Sequence, residues 1–121
     1  MPQTYKLVTV NKVPDRARHI IGRVAEALKD KYTIIHAANC DTVDAVPGAL
    51  KEHQPDLLFC ASMWTPEEVS EVKAIASREK PDVAIYAIPQ GLHAAKGTEG
   101  VFEHLVETVP EVLDGIEKDK A

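Results

Sequence analysis

The chain has 121 residues and a formal net charge of -5, with 45% hydrophobic and 27% charged residues. This length and composition predict one globular domain over residues 1–121. The acidic charge argues against nucleic acid as a partner, because phosphate binding requires a basic surface. No apolar run approaches the roughly 20 residues that a membrane-spanning helix needs. With no secretory signal, the cysteines indicate reduced thiols, and we expect a cytoplasmic protein without membrane contact.

Four apolar runs predict β-strands, and their regular spacing leaves room for one helix after each. They cover residues 5–10, 32–37, 57–61 and 83–88. The last two runs are mostly unbroken by polar residues, which is typical of parallel strands that are covered on both faces.

The segments between the strands show helical periodicity. The first has a buried stripe formed by Ala17, Ile20, Ile21, Val24, Ala25 and Leu28. A shorter helix is predicted over residues 44–53, with Pro47 near its start. The third helix has the clearest start signal, because Thr65 can cap it, Pro66 suits its first turn, and Glu68 completes a capping box.

The last segment also has a helical apolar stripe, and Pro110 is predicted to kink or divide it. The stripe consists of Phe102, Leu105, Val106, Val109, Leu113 and Ile116. A fifth strand near residues 100–102 is the alternative, but this periodicity argues against it.

This alternation of strands and helices predicts a flavodoxin-like three-layer α/β/α domain with a mainly four-stranded parallel sheet in the order 2-1-3-4. Right-handed crossovers then bring the carboxyl ends of all four strands to one edge, which we call the rim. A four-stranded sheet leaves an edge for pairing, so we expect that the protein can form a homodimer.

Ligands of such folds bind at the rim, where the strand order reverses. The polar and aromatic side chains that follow the four strands are therefore the candidate ligand-binding residues. They are Asn11, Lys12, Ser62, Trp64, Gln90 and His93. The first turn, residues 10–15, has no glycine and contains Pro14, so a phosphate cradle of backbone amides is not expected.

The stretches TVNKVPDRAR and PDLLFCASMWTP resemble the first and third strand–loop regions of response-regulator receiver domains. Receivers hold Mg²⁺ with an acidic pair after the first strand and accept a phosphoryl group on an aspartate that ends the third. Here these places hold Asn11 and Lys12, then Cys60 or Ala61, and the fifth-strand lysine has no evident counterpart. The resemblance therefore implies a pseudo-receiver, a regulatory or protein-binding module without phosphotransfer.

The stretches HIIG at residues 19–22, SMW at 62–64 and QG at 90–91 resemble the motif of cobalamin-binding domains. That motif reads Asp-x-His-x-x-Gly, Ser-x-Leu and Gly-Gly, and this chain departs from it at Ala17, Trp64 and Gln90. The resemblance implies cobalamin as a cofactor with His19 as its ligand. His19 falls inside the predicted first helix, and aligning the helices by their ends puts the ligand position near Arg16.

Several of these residues have a simpler interpretation. Cys60 is expected in the core, and the scattered histidines and Cys40 match no recognised metal site. Lys12, Arg16 and Arg18 form either an anion subsite or a solvated basic face. Trp64 either contacts a ligand or partner, or packs over the end of the sheet.

The leading interpretation is a non-catalytic module that uses the rim to bind a small ligand or a protein partner, with no catalytic residues, metal or cofactor assigned. One alternative is the cobalamin carrier. The other is a small enzyme in which His93 acts as acid or base near Ser62 or Cys40. The glycine-flanked loop at residues 91–97 is either a lid over the rim or a plain connector.

Overall fold

The structure, a computed structural model, describes the backbone of residues 3–120 and the side chains of residues 4–116. The predicted domain limits at residues 1 and 121 lie outside the described residues. Four parallel strands form one sheet: β1 (Gln3–Val10), β2 (Tyr32–Cys40), β3 (Leu57–Cys60) and β4 (Ala84–Ala87). Their order is β2-β1-β3-β4, so the predicted flavodoxin-like topology is confirmed.

Helices follow each strand and cover both faces of the sheet. They are α1 (Pro14–Ala27), α2 (Val46–His53), preceded by a 3-10 turn at Val43–Ala45, α3 (Pro66–Glu79) and α4 (Leu92–Lys120). Residues 100–102 lie within α4, which rules out the alternative of a strand there. The non-helical interruption of α4 falls at Gly97, with φ 69° and ψ −173°, so Pro110 does not divide the helix, and a kink at Pro110 stays a prediction. Only glycine adopts this backbone conformation readily.

Side-chain alternation along β1 divides the core into two layers. Val8 and Val10 pack on the α2 and α3 side, whereas Tyr5 and Leu7 pack on the α1 and α4 side. All four residues of β3 are at most 2% exposed, as expected of a central parallel strand. Four members of the predicted stripe of α1 are buried, Ala17, Ile20, Ile21 and Val24, whereas Ala25 is half-buried and Leu28 lies just after the helix.

Two local features fix the rim. The predicted capping box of α3 is present, since Thr65 Oγ1 accepts from the Glu68 backbone N–H and Glu68 Oε1 accepts from that of Thr65. Strand β2 runs to Cys40, three residues beyond the predicted end, because residues 38–40 pair with residues 8–10 of β1 after a register shift. Among the described residues, no helix combines the length and the apolar character needed to cross a membrane.

Candidate functional site

Asn11 leaves the end of β1 and organises the turn into α1. Its side chain is 6% exposed, and its Oδ1 accepts a hydrogen bond of 2.8 Å from the backbone N–H of Val13. This bond identifies the oxygen of the amide and leaves the Nδ2 group on the other side. Asn11 Nδ2 has no hydrogen-bond partner among the described residues. No fully buried side-chain nitrogen lacks a partner there, so this nitrogen must be accessible.

Ser62 occupies the corresponding position after β3. It is 8% exposed, and its carbonyl oxygen accepts from the Gly91 backbone N–H over 3.1 Å. Its hydroxyl oxygen accepts a long bond of 3.4 Å from the His93 backbone N–H. The hydroxyl proton has no acceptor among the described residues. Ser62 therefore resembles Asn11 in having a buried position and an unused donor.

Asn11, Ser62 and His93 line one small cavity between the rim, α1 and the start of α4. Its volume is about 40 Å³, enough for about three water molecules. Thr9 and Arg16 complete its polar lining, and the other lining residues are apolar or small. We call this space the rim cavity.

Thr9 differs from the other buried polar residues because its hydroxyl is fully used. Its Oγ1 donates to Asn39 Oδ1 over 2.7 Å and lies 2.8 Å from His36 Nε2. Since the hydroxyl proton goes to Asn39, His36 Nε2 must donate to Thr9. Burial lowers the pKa of His36 below its ordinary value, and the charge of Arg18 adds to this effect. Burial and the Arg18 charge, and not the bond to Thr9, therefore favour the neutral form of His36.

Lys12 and Trp64 lie in a different opening, on the α3 side of the β1 loop. The Lys12 ammonium is 5.0 Å from the centre of the Trp64 ring, a cation–π distance. Trp64 is 4% exposed, and its Nε1–H donates to the carbonyl oxygen of Val10 over 2.7 Å. Trp64 therefore packs over the end of the sheet, and its contact with a ligand or partner stays a prediction.

This second opening, which we call the outer groove, measures about 310 Å³. Its lining residues are Lys12, Asp41, Thr42, Val43, Asp44, Trp64, Glu68 and Glu71. The groove is therefore mostly acidic. Glu68 is engaged at the start of α3, and the hydrogen bond from the Thr65 backbone lowers its pKa.

Gln90 is exposed and lines neither opening. The structure thus brings three of the six predicted residues together, places two in the outer groove and leaves one apart. Thr9 and Arg16 are cavity residues that were not among the six. Thr9 is the only polar residue in the run from Leu7 to Val10, which was the available signal.

The small-enzyme alternative requires His93 with Ser62 or Cys40, and the cobalamin alternative requires His19. His93 Nε2 bonds to Thr98 Oγ1 over 3.2 Å, so it is the backbone and not the imidazole of His93 that meets Ser62. Burial raises the pKa of both the Cys40 and the Cys60 thiols to about 11. His19 lies inside α1, and cobalamin binding stays a prediction. Within residues 4–116, no His, Cys, Asp or Glu cluster suits a metal ion.

The sequence matches no protein-family model and no curated protein. Solved structures of similar fold are nevertheless found. The chain superimposes on the RcsB response regulator of Salmonella typhimurium with a TM-score of 0.63 at 10% identity, covering 96% of this chain and 61% of that one. It also matches the non-phosphorylated receiver domain of RcsB from Escherichia coli, with a TM-score of 0.61 at 9% identity, 96% coverage of this chain and 95% of that domain.

This chain has the flavodoxin-like fold of a receiver domain. It spans less than two thirds of the first RcsB chain but almost all of the isolated receiver domain. Identity this low establishes the fold alone. The acceptor position at the end of β3 holds Cys60 and Ala61, and the loop after β1 holds Asn11 and Lys12. The rim therefore lacks the carboxylates by which receivers accept a phosphoryl group.

Proposed function

We propose that this chain is a non-catalytic regulatory module that binds a small molecule in the rim cavity. One observation carries the proposal: two residues that are more than nine-tenths buried, Asn11 and Ser62, face the same cavity with unused hydrogen-bond donors. The Asn11 nitrogen is accessible and the Ser62 hydroxyl still has a proton to donate, so both groups can bond to water or to a ligand in the cavity. Proteins rarely retain such groups unless water or a ligand satisfies them.

Two further features favour binding over catalysis. The thiols near the rim are held protonated by their raised pKa values, so they are poor nucleophiles at neutral pH. The His93 ring is bonded to Thr98 and does not form a hydrogen-bonded pair with Ser62, the arrangement a serine nucleophile needs. The receiver fold supports a regulatory role by analogy alone.

The position of the cavity also suits regulation. The helical turn of residues 92–96 lies between two glycines with positive φ, Gly91 at 85° and Gly97 at 69°. This turn carries His93, whose backbone N–H contacts Ser62. A ligand that accepts the Ser62 hydroxyl proton therefore binds beside this turn, at the start of α4.

The test is native mass spectrometry on the wild-type protein as purified, repeated on Ser62→Ala and on Gln90→Ala as an exposed control. We expect a small bound mass, or thermal stabilisation by members of a metabolite panel, in wild type and Gln90→Ala but not in Ser62→Ala. Equal retention in all three proteins contradicts the site. If nothing binds to the wild-type protein at all, the function as a small-molecule module is wrong.

A further inference from the structure

We propose that the rim cavity takes a small monocarboxylate, a carboxylate group joined to a short hydrocarbon chain. This inference rests on the proposed function and adds the chemical class of the ligand. The carboxylate would meet Arg16, Asn11 and Ser62, and the hydrocarbon would lie against the apolar wall of the cavity.

The charge of the cavity selects an anion. Arg16 lines it, is half-buried, and forms no ion pair with any described residue. The other two arginines of α1 both have carboxylate partners, since Arg18 pairs with Asp15 and Arg23 with Glu99. No Asp or Glu lines the cavity. An unpaired guanidinium beside a water-sized space, with no competing carboxylate, favours a bound anion.

The neutral donors point to the same chemistry. The Val13 N–H fixes the oxygen of Asn11, so only its Nδ2 donor remains for a ligand. The Ser62 hydroxyl adds a second donor. The first turn of α1 adds the partial positive charge of a helix N-terminus. That helix starts without a side-chain cap, and its acidic Asp15 turns outward to Arg18. Two oxygens of a carboxylate match this set of donors.

The apolar wall decides between a carboxylate and other small anions. A space of about 40 Å³ admits a ligand of only a few non-hydrogen atoms. The rest of the wall is mainly Ala17, Ile20, Ile21, Phe59, Val101 and Leu105. Phosphate has no hydrocarbon to place there, whereas a short carboxylic acid has. The outer groove is larger, but its four carboxylates repel anions.

The test uses the full ¹⁵N-labelled chain in nuclear magnetic resonance titrations at constant ionic strength. The probes are acetate and propionate, with propionamide as the neutral counterpart and inorganic phosphate as the rival anion. We expect saturable shifts at the Asn11 side-chain amide and at the backbone of Ser62 and His93. At least one carboxylate should produce them, and propionamide and phosphate should not.

A matched pair of variants locates the charge. Arg16→Gln should weaken carboxylate binding about tenfold, the effect of losing one charge-assisted hydrogen bond, whereas Arg18→Gln on the same helix should leave it unchanged. Asn11→Asp keeps the acceptor for Val13 N–H but replaces the donor by a negative oxygen, so it should abolish binding. Unchanged spectra outside the cavity would show that each variant folds.

The outcomes separate this inference from the function beneath it. If every carboxylate fails, if propionamide or phosphate binds as tightly, or if Arg16→Gln binds as wild type does, the monocarboxylate assignment is wrong. A different small molecule that binds and depends on Ser62 would then still support the proposed function. If no molecule of any class binds, both are wrong.

Discussion

The two openings on either side of the β1 loop differ in how their polar groups are used. In the outer groove, the indole N–H of Trp64 is bonded to Val10, Glu68 closes the capping box, and Lys12 lies over the indole ring. In the rim cavity, Asn11 and Ser62 each have a donor that no described residue accepts. The same strand ends position both openings, but the buried indole N–H of the outer groove has a partner, whereas two buried residues of the rim cavity have unused donors.

This difference shows that residues at neighbouring places on the rim are used differently by the fold. Every strand of a parallel sheet delivers its next side chain to that edge, and some of these side chains are required to close the core. What distinguishes the rim cavity is hydrogen-bonding capacity that the fold has not used. If Trp64 in the outer groove stabilises the fold and the donors of the rim cavity serve binding, substitutions in the two openings should have different effects.

The largest effect is expected on the structural side. Trp64→Ala removes a ring that is 4% exposed and should lower the free energy of unfolding by about 3–5 kcal/mol. Trp64→Phe keeps most of the packing but loses the bond to Val10, and should cost about 1–3 kcal/mol. Urea unfolding followed by circular dichroism measures both. A loss below about 1 kcal/mol in Trp64→Ala would mean that the indole is held for another purpose.

A second effect is expected at the turn that closes the cavity. Gly97→Ala forces alanine to φ 69° and ψ −173°, and should cost about 1–3 kcal/mol. Gly115→Ala is the matched control in the same helix, because open space surrounds its added methyl group. Without that strain, it should stabilise the protein by about 0.5–1 kcal/mol. Shifts of the same sign in both variants would show that the interruption at Gly97 is not maintained in solution.

The sequence was sufficient for the scaffold because local signals agreed with the global pattern. Thr65, Pro66 and Glu68 marked the start of α3, and unbroken apolar runs marked the central strands. Strand order followed from the handedness of the crossovers. A kink or division of α4 is predicted at Pro110, however, because proline is the usual helix breaker. The break falls at Gly97, where the chain turns from the rim into the helix.

The geometry of the rim was harder to predict than the scaffold, since burial there depends on contacts between distant segments. Asn11 and Ser62 were identified from their position after strands, but their unused donors depend on Val13 and His93. Trp64 was ambiguous in the sequence, because only the fold brings its nitrogen to the Val10 carbonyl. Hydrogen bonds between residues that are distant in the sequence decide which polar groups remain free, and the spacing of residues does not predict these bonds.

Lowering the pH should destabilise the protein through His36, which is hydrogen-bonded to Thr9 beside the cavity. Burial lowers the pKa of His36 from 6.5, so the folded protein holds the neutral ring and the unfolded chain takes up a proton first as the pH falls. This contribution to stability is present above pH 6.5 and is lost progressively below it. In His36→Gln, which keeps a donor for Thr9, the loss between about pH 7 and about pH 5.5 should be smaller than in wild type. Equal losses would mean that His36 is not held neutral.

The smallest effect on stability is the most informative about function. Ser62→Ala removes a hydroxyl whose bond within the described part of the chain is 3.4 Å long, and should cost about 0.5 kcal/mol or less. Thr9→Val removes the other cavity hydroxyl and leaves Asn39 and His36 without their partner, which should cost about 1–3 kcal/mol. Urea unfolding of the two variants provides the comparison.

We expect the Thr9 hydroxyl to contribute to stability and the Ser62 hydroxyl to contribute to ligand binding. If Ser62→Ala lowers the free energy of unfolding as much as Thr9→Val does, the Ser62 hydroxyl has a structural partner. Its proton is then not available to a ligand. If Ser62→Ala hardly changes the free energy of unfolding but loses the bound ligand, the Ser62 hydroxyl contributes to binding and not to stability. A hydroxyl that the fold can spare but the ligand requires is the property that distinguishes the rim cavity from the outer groove.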